Sequence, residues 1–285
     1  MNAWQAHRSL TPEQKQLIAA KTVDLNRRPD ELIALLTPVA SYDKVVDKMR
    51  KPLGCTGCLA FVACLPLFFM FAASDWRATL YGLGFVAVLL IAIVAFFGWR
   101  WTNKVDLSDN LRGTALPLLN IFREDFARDE PVHVRLDLRP PTDKTKKQSE
   151  SAPYKHGAYY KIIDTMYADP WMDGEAVLQD GSAMKWSIVD TIRERKKTKK
   201  NPRGKIKTKT KYTKKTKIEV SVALRTKTYA ITPAGDAEIK RGEKKNVVSV
   251  SRRIRTAALD PIHPTAFVEL VADVFKRVRP AGKEA

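Results

Sequence analysis

Residues 54–73 read GCTGCLAFVACLPLFFMFAA and residues 78–99 read ATLYGLGFVAVLLIAIVAFFGW, with only residues 74–77 (SDWR) between them. Neither segment contains a charged residue. At about 1.5 Å rise per residue, each forms a helix of about 30 Å, which matches the hydrocarbon thickness of a bilayer. Because the connection is so short, the two segments are predicted to form an antiparallel transmembrane hairpin.

Basic residues flank both outer ends of this hairpin: Lys44, Lys48, Arg50 and Lys51 precede it, and Arg100, Lys104 and Arg112 follow it. The connecting turn contains only Arg77. Since cytoplasmic loops of membrane proteins carry the excess of Lys and Arg, both termini are predicted to be cytoplasmic. The expected location is a bacterial inner (cytoplasmic) membrane.

The remaining chain divides around the hairpin into regions of different size. We expect an N-terminal cytoplasmic helical region (1–53), the transmembrane hairpin (54–101) and a C-terminal cytoplasmic β-rich domain (106–285). The last region is long enough to bury a core of its own. The chain of 285 residues has a net charge of +19, which favours anionic partners.

Residues 132–138 alternate apolar and polar side chains, which is typical of a half-buried strand. Further strand-like runs cover residues 159–167, 175–178, 183–192, 205–231 and 247–256. The dipeptides Asp169-Pro170 and Asp180-Gly181 are typical turn signals. Residues 143–154 are polar and predicted to form an exposed loop.

Helical patterns occupy residues 29–49, with an interruption near Pro38, and residues 106–128 and 264–278. Together with the strands, they predict an α+β membrane protein. Its cytoplasmic domain is expected to be mainly antiparallel, either a sandwich or an open barrel, with flanking helices.

Residues 193–217, RERKKTKKNPRGKIKTKTKYTKKTK, concentrate the charge of the chain. They contain fourteen Lys or Arg and one acid, so their net charge of +13 is most of the total of +19. Composition alone is typical of a disordered loop. The flanking apolar residues instead favour a protruding β-ribbon, because they alternate on both sides of the run.

The turn of this ribbon can be placed from its chemistry. A Pro202-Arg203-Gly204 loop has Pro and Gly at the positions that a three-residue hairpin connection prefers. It places Asn201 opposite Lys205. The same register places Trp186 opposite Val220, so the apolar side chains of both strands reach one face.

This register also pairs like charges along the distal ribbon, at a cost of about 0.2–1 kcal/mol for each pair. An isolated ribbon about 30 Å long would be mobile until a polyanion neutralised it. Anionic lipid head groups and acidic partner proteins are the leading candidates, a merely solvated extension is the next alternative, and nucleic acid follows it. The predicted polyanion-binding residues are Arg193, Arg195, Lys197, Lys199, Arg203, Lys205, Lys207, Lys209 and Lys211.

The Asn201-Pro202-Arg203-Gly204 tip of a basic ribbon is similar to the arms of bacterial histone-like proteins, which wrap DNA. The similarity covers about ten residues, and the rest of the chain does not follow that family. It implies a mode of nucleic-acid contact for this tip, with Thr208, Thr210 and Tyr212 adding polar or stacking contacts.

Catalytic and metal sites are not expected. Cys55, Cys58 and Cys64 lie in the first apolar segment and are interpreted as packing residues. Residues 169–174 (DPWMDG) contain acids that a cation would accept, but they read as ordinary turns. With no cofactor motif, the favoured function is a membrane-anchored, non-enzymatic interaction or scaffold protein. A membrane-tethered nucleic-acid-binding protein and an enzyme with an unrecognised site in the β domain are the alternatives.

Overall fold

The computed structural model describes residues 3–73, 78–232, 237–256 and 259–281. Its helices are α1 (Ala3–Arg8), α2 (Pro12–Ala20), α3 (Pro29–Ala73), α4 (Ala78–Val105), α5 (Leu116–Phe122) and α6 (Thr265–Phe275). Its strands are β1 (Thr22–Arg27), β2 (Val132–Asp137), β3 (Lys147–Glu150), β4 (Tyr154–His156), β5 (Tyr159–Val177), β6 (Ala183–Lys200), β7 (Ile206–Arg225), β8 (Tyr229–Ile231), β9 (Glu238–Lys240), β10 (Lys245–Thr256) and β11 (Val278–Pro280).

The chain forms two compact units, one of residues 1–19 and 38–106 and the other of residues 20–37 and 107–285. In the first unit, α3 and α4 are long and apolar enough to cross a membrane. Many of their large apolar side chains are exposed, including Leu59, Phe61 and Val94. Such a surface is typical of helices that lie in lipid.

The start of the apolar segment of α3 contacts the end of the apolar segment of α4, as expected of antiparallel helices. Gly54 lies against the indole of Trp99, and Gly98 lies against Leu53. Farther along, the rings of Phe68 and Phe85 are 5.8 Å apart. The predicted connecting turn, residues 74–77, lies outside the described residues.

The helix α3 is longer than the sequence predicts. It continues without interruption through Pro38 and through the junction at Pro52, where the N-terminal helical region was expected to end. The N-terminal residues also form a strand that was not predicted, because β1 pairs with β2. Its register sets Val23 opposite Leu136, so that both side chains are buried.

The second unit is built on a nine-stranded antiparallel sheet in the order β1-β2-β5-β6-β7-β10-β9, with β3 and β4 pairing to β5. The strands β8 and β11 form a separate two-stranded ribbon. The fold is therefore α+β with an antiparallel sheet, as predicted. The expected sandwich or open barrel is not confirmed, since the pairing of the described strands follows one open path from β1 to β9.

One face of this sheet is covered. The even-numbered residues of β6 from Met184 to Glu194, and those of β7 from Lys214 to Leu224, are buried. The amphipathic helix α6 buries Phe267, Leu270, Val271 and Val274. Its Phe267 ring contacts Trp186 at 6.5 Å and Phe122 at 5.6 Å, so α5, α6 and the sheet share one aromatic core.

Two loop predictions are wrong. The strand β5 runs straight through Asp169-Pro170, with only a register shift between Pro170 and Met172, and Asp169 is fully buried. Residues 143–154 are not a simple exposed loop, because they form a 3₁₀ turn at Lys144–Lys146 followed by β3. The buried ammonium group of Lys146 lies 2.8 Å from the carboxylate of Asp169. This contact ties residues 144–146 to β5.

The helix expected over residues 106–128 is also much shorter. A single π-helical turn at Leu111–Ala115 precedes α5, which ends at Phe122. Gly113 in this turn allows the backbone to approach Pro261 closely, because an added Cβ would lie 2.6 Å from the proline ring. This contact joins segments far apart in the chain, and no local sequence pattern reveals it.

Candidate polyanion-binding face

The turn between β6 and β7 has the geometry predicted from its sequence. The amide of Asn201 donates to the carbonyl of Lys205 at 2.9 Å, and the amide of Gly204 donates to the carbonyl of Asn201 at 2.8 Å. Gly204 has φ +77°, which only glycine adopts without strain. The predicted register is confirmed, with Trp186 opposite Val220.

The register divides the distal parts of β6 and β7 into two chemically different faces. Even-numbered residues continue the covered face, and odd-numbered residues lie on the opposite face. The latter sets three predicted pairs of like charges side by side: Arg195 with Lys211, Lys197 with Lys209, and Lys199 with Lys207. Arg193 shares this face, whereas Arg203 and Lys205 lie at the turn.

The basic surface extends onto β10, whose arginines were not among the predicted binding residues. Arg255 lies opposite Lys215, and Arg253 lies opposite Lys217. The three arginines of residues 252–255 (RRIR) provide the signal that could have found it, since two of them fall on one parity. We define the basic face as Arg193, Arg195, Lys197, Lys199, Lys207, Lys209, Lys211, Lys215, Arg253 and Arg255.

One predicted binding residue has an internal partner. The guanidinium of Arg195 donates two hydrogen bonds to the carboxylate of Asp164 on β5, at 2.6 and 2.7 Å. The hydroxyl of Tyr154 donates to the same carboxylate at 3.0 Å. The hydrogen bonds from Arg195 hold the pKa of Asp164 below its usual value. Arg195 is therefore neutralised by its neighbour and orders the face rather than offering free charge.

The other strand residues of the predicted set have no acidic partner in the part of the chain that the structure describes. These are Arg193, Lys197, Lys199, Lys207, Lys209 and Lys211. The ammonium of Lys197 lies 5.2 Å from the ring centre of Tyr159, a cation–π distance. These six cations of the basic face therefore form no ion pair with a carboxylate of the described residues.

Apart from the exposed Lys200, the charged groups on the opposite face of the same strands have internal partners. Lys196 forms an ion pair with Glu194 at 3.0 Å, and the hydroxyl of Tyr167 donates to Glu194 at 3.1 Å. The hydroxyls of Thr198 and Thr208 are 3.2 Å apart. Polyanion binding is therefore expected on the odd-numbered face alone.

The expectation of an isolated two-stranded ribbon is wrong. The strand β5 pairs with β6 as far as Lys161 opposite Thr198, which is nearly to the turn. On the other side, β10 ends at Thr256 opposite Lys214, so the described residues leave the outer edge of β7 unpaired over residues 207–213. The paired like charges therefore lie on a sheet of at least three strands, whose backbone hydrogen bonds offset their repulsion.

A second group of charges lies on the covered face, where β5, β6 and β7 run side by side. Asp169 is opposite Asp190, and Asp190 is opposite Thr216. The hydroxyl of Thr216 donates to Asp190 at 2.5 Å, and the ammonium of Lys214 lies 3.5 Å from the same carboxylate. We call Lys146, Asp169, Asp190, Lys214 and Thr216 the buried charge row.

Burial dominates the chemistry of this row. It raises the pKa of Asp169 to about 6, against the opposing effect of Lys146, while the nearby Asp190 and Asp137 raise it further. Burial also raises the pKa of Asp190. Two adjacent carboxyls with raised pKa values resemble a catalytic pair, but both are at most 1% exposed. A substrate cannot reach them in this conformation.

The candidate site is defined by the strand register and by the charges that this register groups together. The predicted residues are brought onto one side of a sheet, except for the two in the turn, and β10 adds further arginines to them. No family model, no curated protein and no solved structure matches this chain.

Proposed function

We propose that this protein is a membrane-anchored, non-enzymatic interaction or scaffold protein whose basic face binds a polyanionic surface, with anionic lipid head groups as the first candidate. The helices α3 and α4 form its transmembrane hairpin. Both termini and the sheet-bearing unit are cytoplasmic, at the inner membrane of a bacterium. An acidic partner protein is a further ligand of the same chemistry.

The membrane anchor is supported by the exposed apolar surface of α3 and α4. Phe69, Leu80 and Phe97 are each about two-thirds exposed in the absence of lipid. Leaving such side chains in water costs about 1.5–3 kcal/mol each relative to an apolar environment. The basic flanks of both helices favour the cytoplasmic side by the positive-inside rule.

The observation that carries the binding proposal is a set of six cations on one face that form no ion pair with a carboxylate of the described residues. Each Lys or Arg near an anionic membrane contributes about 1 kcal/mol. Six of them contribute up to about 6 kcal/mol, and a bound polyanion also relieves the repulsion between paired lysines. The sheet-bearing unit continues the chain from residue 107, just after α4, so the membrane surface is always present at high local concentration.

The proposal can be tested with the full-length protein held in neutral phosphatidylcholine nanodiscs. Free vesicles of phosphatidylcholine and phosphatidylglycerol in a three-to-one ratio are added, and co-sedimentation is measured at increasing salt concentration. We expect binding that weakens steeply with salt. Changing Lys197, Lys199, Lys209 and Lys211 to Gln should weaken it by about three orders of magnitude, at about 1 kcal/mol for each cation.

A matched control variant carries the same change of charge at the other end of the sheet, with Lys227, Lys240, Lys244 and Lys245 changed to Gln. This variant should bind vesicles nearly as well as the native protein. Equal losses in the two variants would show that only net charge matters. Absence of binding to the anionic vesicles by the native protein would exclude lipid as the ligand.

Nucleic acid is a second candidate because the Asn201–Lys205 turn adopts the tight, glycine-containing geometry expected of a basic arm tip. Duplex DNA replaces the vesicles in the same assay. Tighter binding to DNA than to anionic vesicles, with a steep dependence on salt, would favour this candidate over the lipid surface.

A further inference from the structure

An apolar groove runs between α3 and α4 in the first unit. It has a volume of about 740 Å³ and is lined by Gly54, Gly57 and Cys58 on α3 and by Ile93 and Phe96 on α4, among others. The two glycines line the groove and let α4 pack closely beside it, since an added Cβ at Gly54 would lie 3.3 Å from the indole of Trp99. At Gly57, an added Cβ would already contact the side chain of Ala95 at 3.6 Å.

Two cations lie where this groove ends. Gly54 packs against Trp99 and Leu53 against Gly98, so Lys51 and Arg100 are at the same level, just beyond the apolar segments. Lys51 is three residues before Gly54 and seven before Cys58. Arg100 is four residues after Phe96 and seven after Ile93. By helical periodicity, each cation therefore continues the groove side of its own helix.

These cations differ from their neighbour Arg50, which forms an ion pair with Asp106. Lys51 and Arg100 are exposed, and neither has a carboxylate partner within the described ranges. Trp99, at the same end of the groove, is a residue type that prefers the head-group level of a bilayer. The site thus combines an apolar channel with an unneutralised cationic mouth.

We infer that this groove binds one anionic phospholipid, with an acyl chain between α3 and α4 and the head-group phosphate between Lys51 and Arg100. The inference rests on the proposed transmembrane placement of the two helices. Charge complementarity selects this occupant, because a helix of a second copy would fill the apolar groove but leave both cations without partners. Basic pockets between transmembrane helices on the cytoplasmic side are suited to anionic head groups.

The test is native mass spectrometry of the full-length protein in neutral detergent, titrated with phosphatidylglycerol or phosphatidylcholine. We expect tight binding of one phosphatidylglycerol and weaker binding of phosphatidylcholine. The double variant Lys51→Gln, Arg100→Gln should raise the dissociation constant for phosphatidylglycerol about thirtyfold, at about fivefold for each cation. The variant Cys58→Trp, which fills the groove and keeps both charges, should also weaken binding.

A matched control variant, Lys209→Gln and Arg193→Gln, removes one Lys and one Arg from the basic face and should retain the lipid. Loss of binding in this control instead of in the groove variants would place the lipid on the basic face. Equal binding of the two lipids, or a dimer that Cys58→Trp abolishes, would overturn the inference. Failure of the membrane anchor itself is measured separately, because carbonate would then extract the native protein from membranes without detergent.

Discussion

Acidification should stabilise the second unit through Asp169, and the substitution Asp169→Asn should remove that gain. Burial raises the pKa of this carboxyl from 3.8 in the unfolded chain to about 6 in the folded protein. The folded state therefore binds the proton more tightly, so the contribution is fully present below pH 3.8 and is lost as the pH rises through about 6.

A shift from 3.8 to about 6 corresponds to about 3 kcal/mol when it is complete. Between pH 7.5 and pH 4.5, about 2 kcal/mol of this appears, because the unfolded carboxyl also begins to bind protons at the lower pH. For a unit of this size, 2 kcal/mol corresponds to about 4–8 °C in the melting temperature. Other carboxyls titrate in the same pH range. They are present in both the native protein and Asp169→Asn, so their contribution cancels in the comparison.

The assay is thermal unfolding of the full-length protein in neutral detergent, followed by the fluorescence of its tryptophans, two of which, Trp171 and Trp186, are buried in the sheet unit. The difference in melting temperature between native protein and Asp169→Asn is measured at both pH values. From pH 7.5 to pH 4.5, the melting temperature of the native protein should rise relative to that of Asp169→Asn. Parallel changes in the two proteins would refute the argument that Asp169 is buried in its charged form at neutral pH.

Three further substitutions have defined outcomes. Asp164→Ala should free Arg195 and tighten binding to anionic vesicles about fivefold, measured by co-sedimentation; weaker binding would instead show that the ion pair holds the face in its active shape. Gly204→Ala should destabilise the turn by about 1–2 kcal/mol because φ is +77°, and faster amide exchange confined to residues 199–207 is the expected readout. Gly174→Ala would place a methyl group 2.5 Å from the Trp186 ring and 2.6 Å from the His133 carbonyl, so a large fall in melting temperature is expected, and an unchanged value would contradict the tight packing.

The register of β6 and β7 could be predicted because two independent signals agree. Turn chemistry at Pro202 and Gly204 fixes one pair of residues, and the parity of buried side chains at Trp186 and Val220 requires the same alignment. The basic residues of the two strands were consequently assigned to the correct face.

The course of β5 could not be predicted from local patterns. Asp169-Pro170 is a typical turn signal, yet the strand continues there, paired to β6, with Lys146 from another segment contacting the buried carboxylate of Asp169. Arg195 was likewise predicted to bind a ligand. Its internal partner, Asp164, lies on another strand, and the sequence gives no sign of this ion pair. Both features involve partners far apart in the chain, and a single sequence does not reveal them.

The edge of β7 that the described residues leave unpaired has a consequence for how copies of this protein would coexist in the proposed membrane. An open strand edge is a template for pairing with another chain, and confinement to a plane brings neighbouring copies together often. Lys207, Lys209 and Lys211 place a row of like charges along this edge, so two edges repel each other before their backbones can join. The same lysines that we propose to bind an anionic surface would therefore also keep the sheet from extending into a fibre of paired copies.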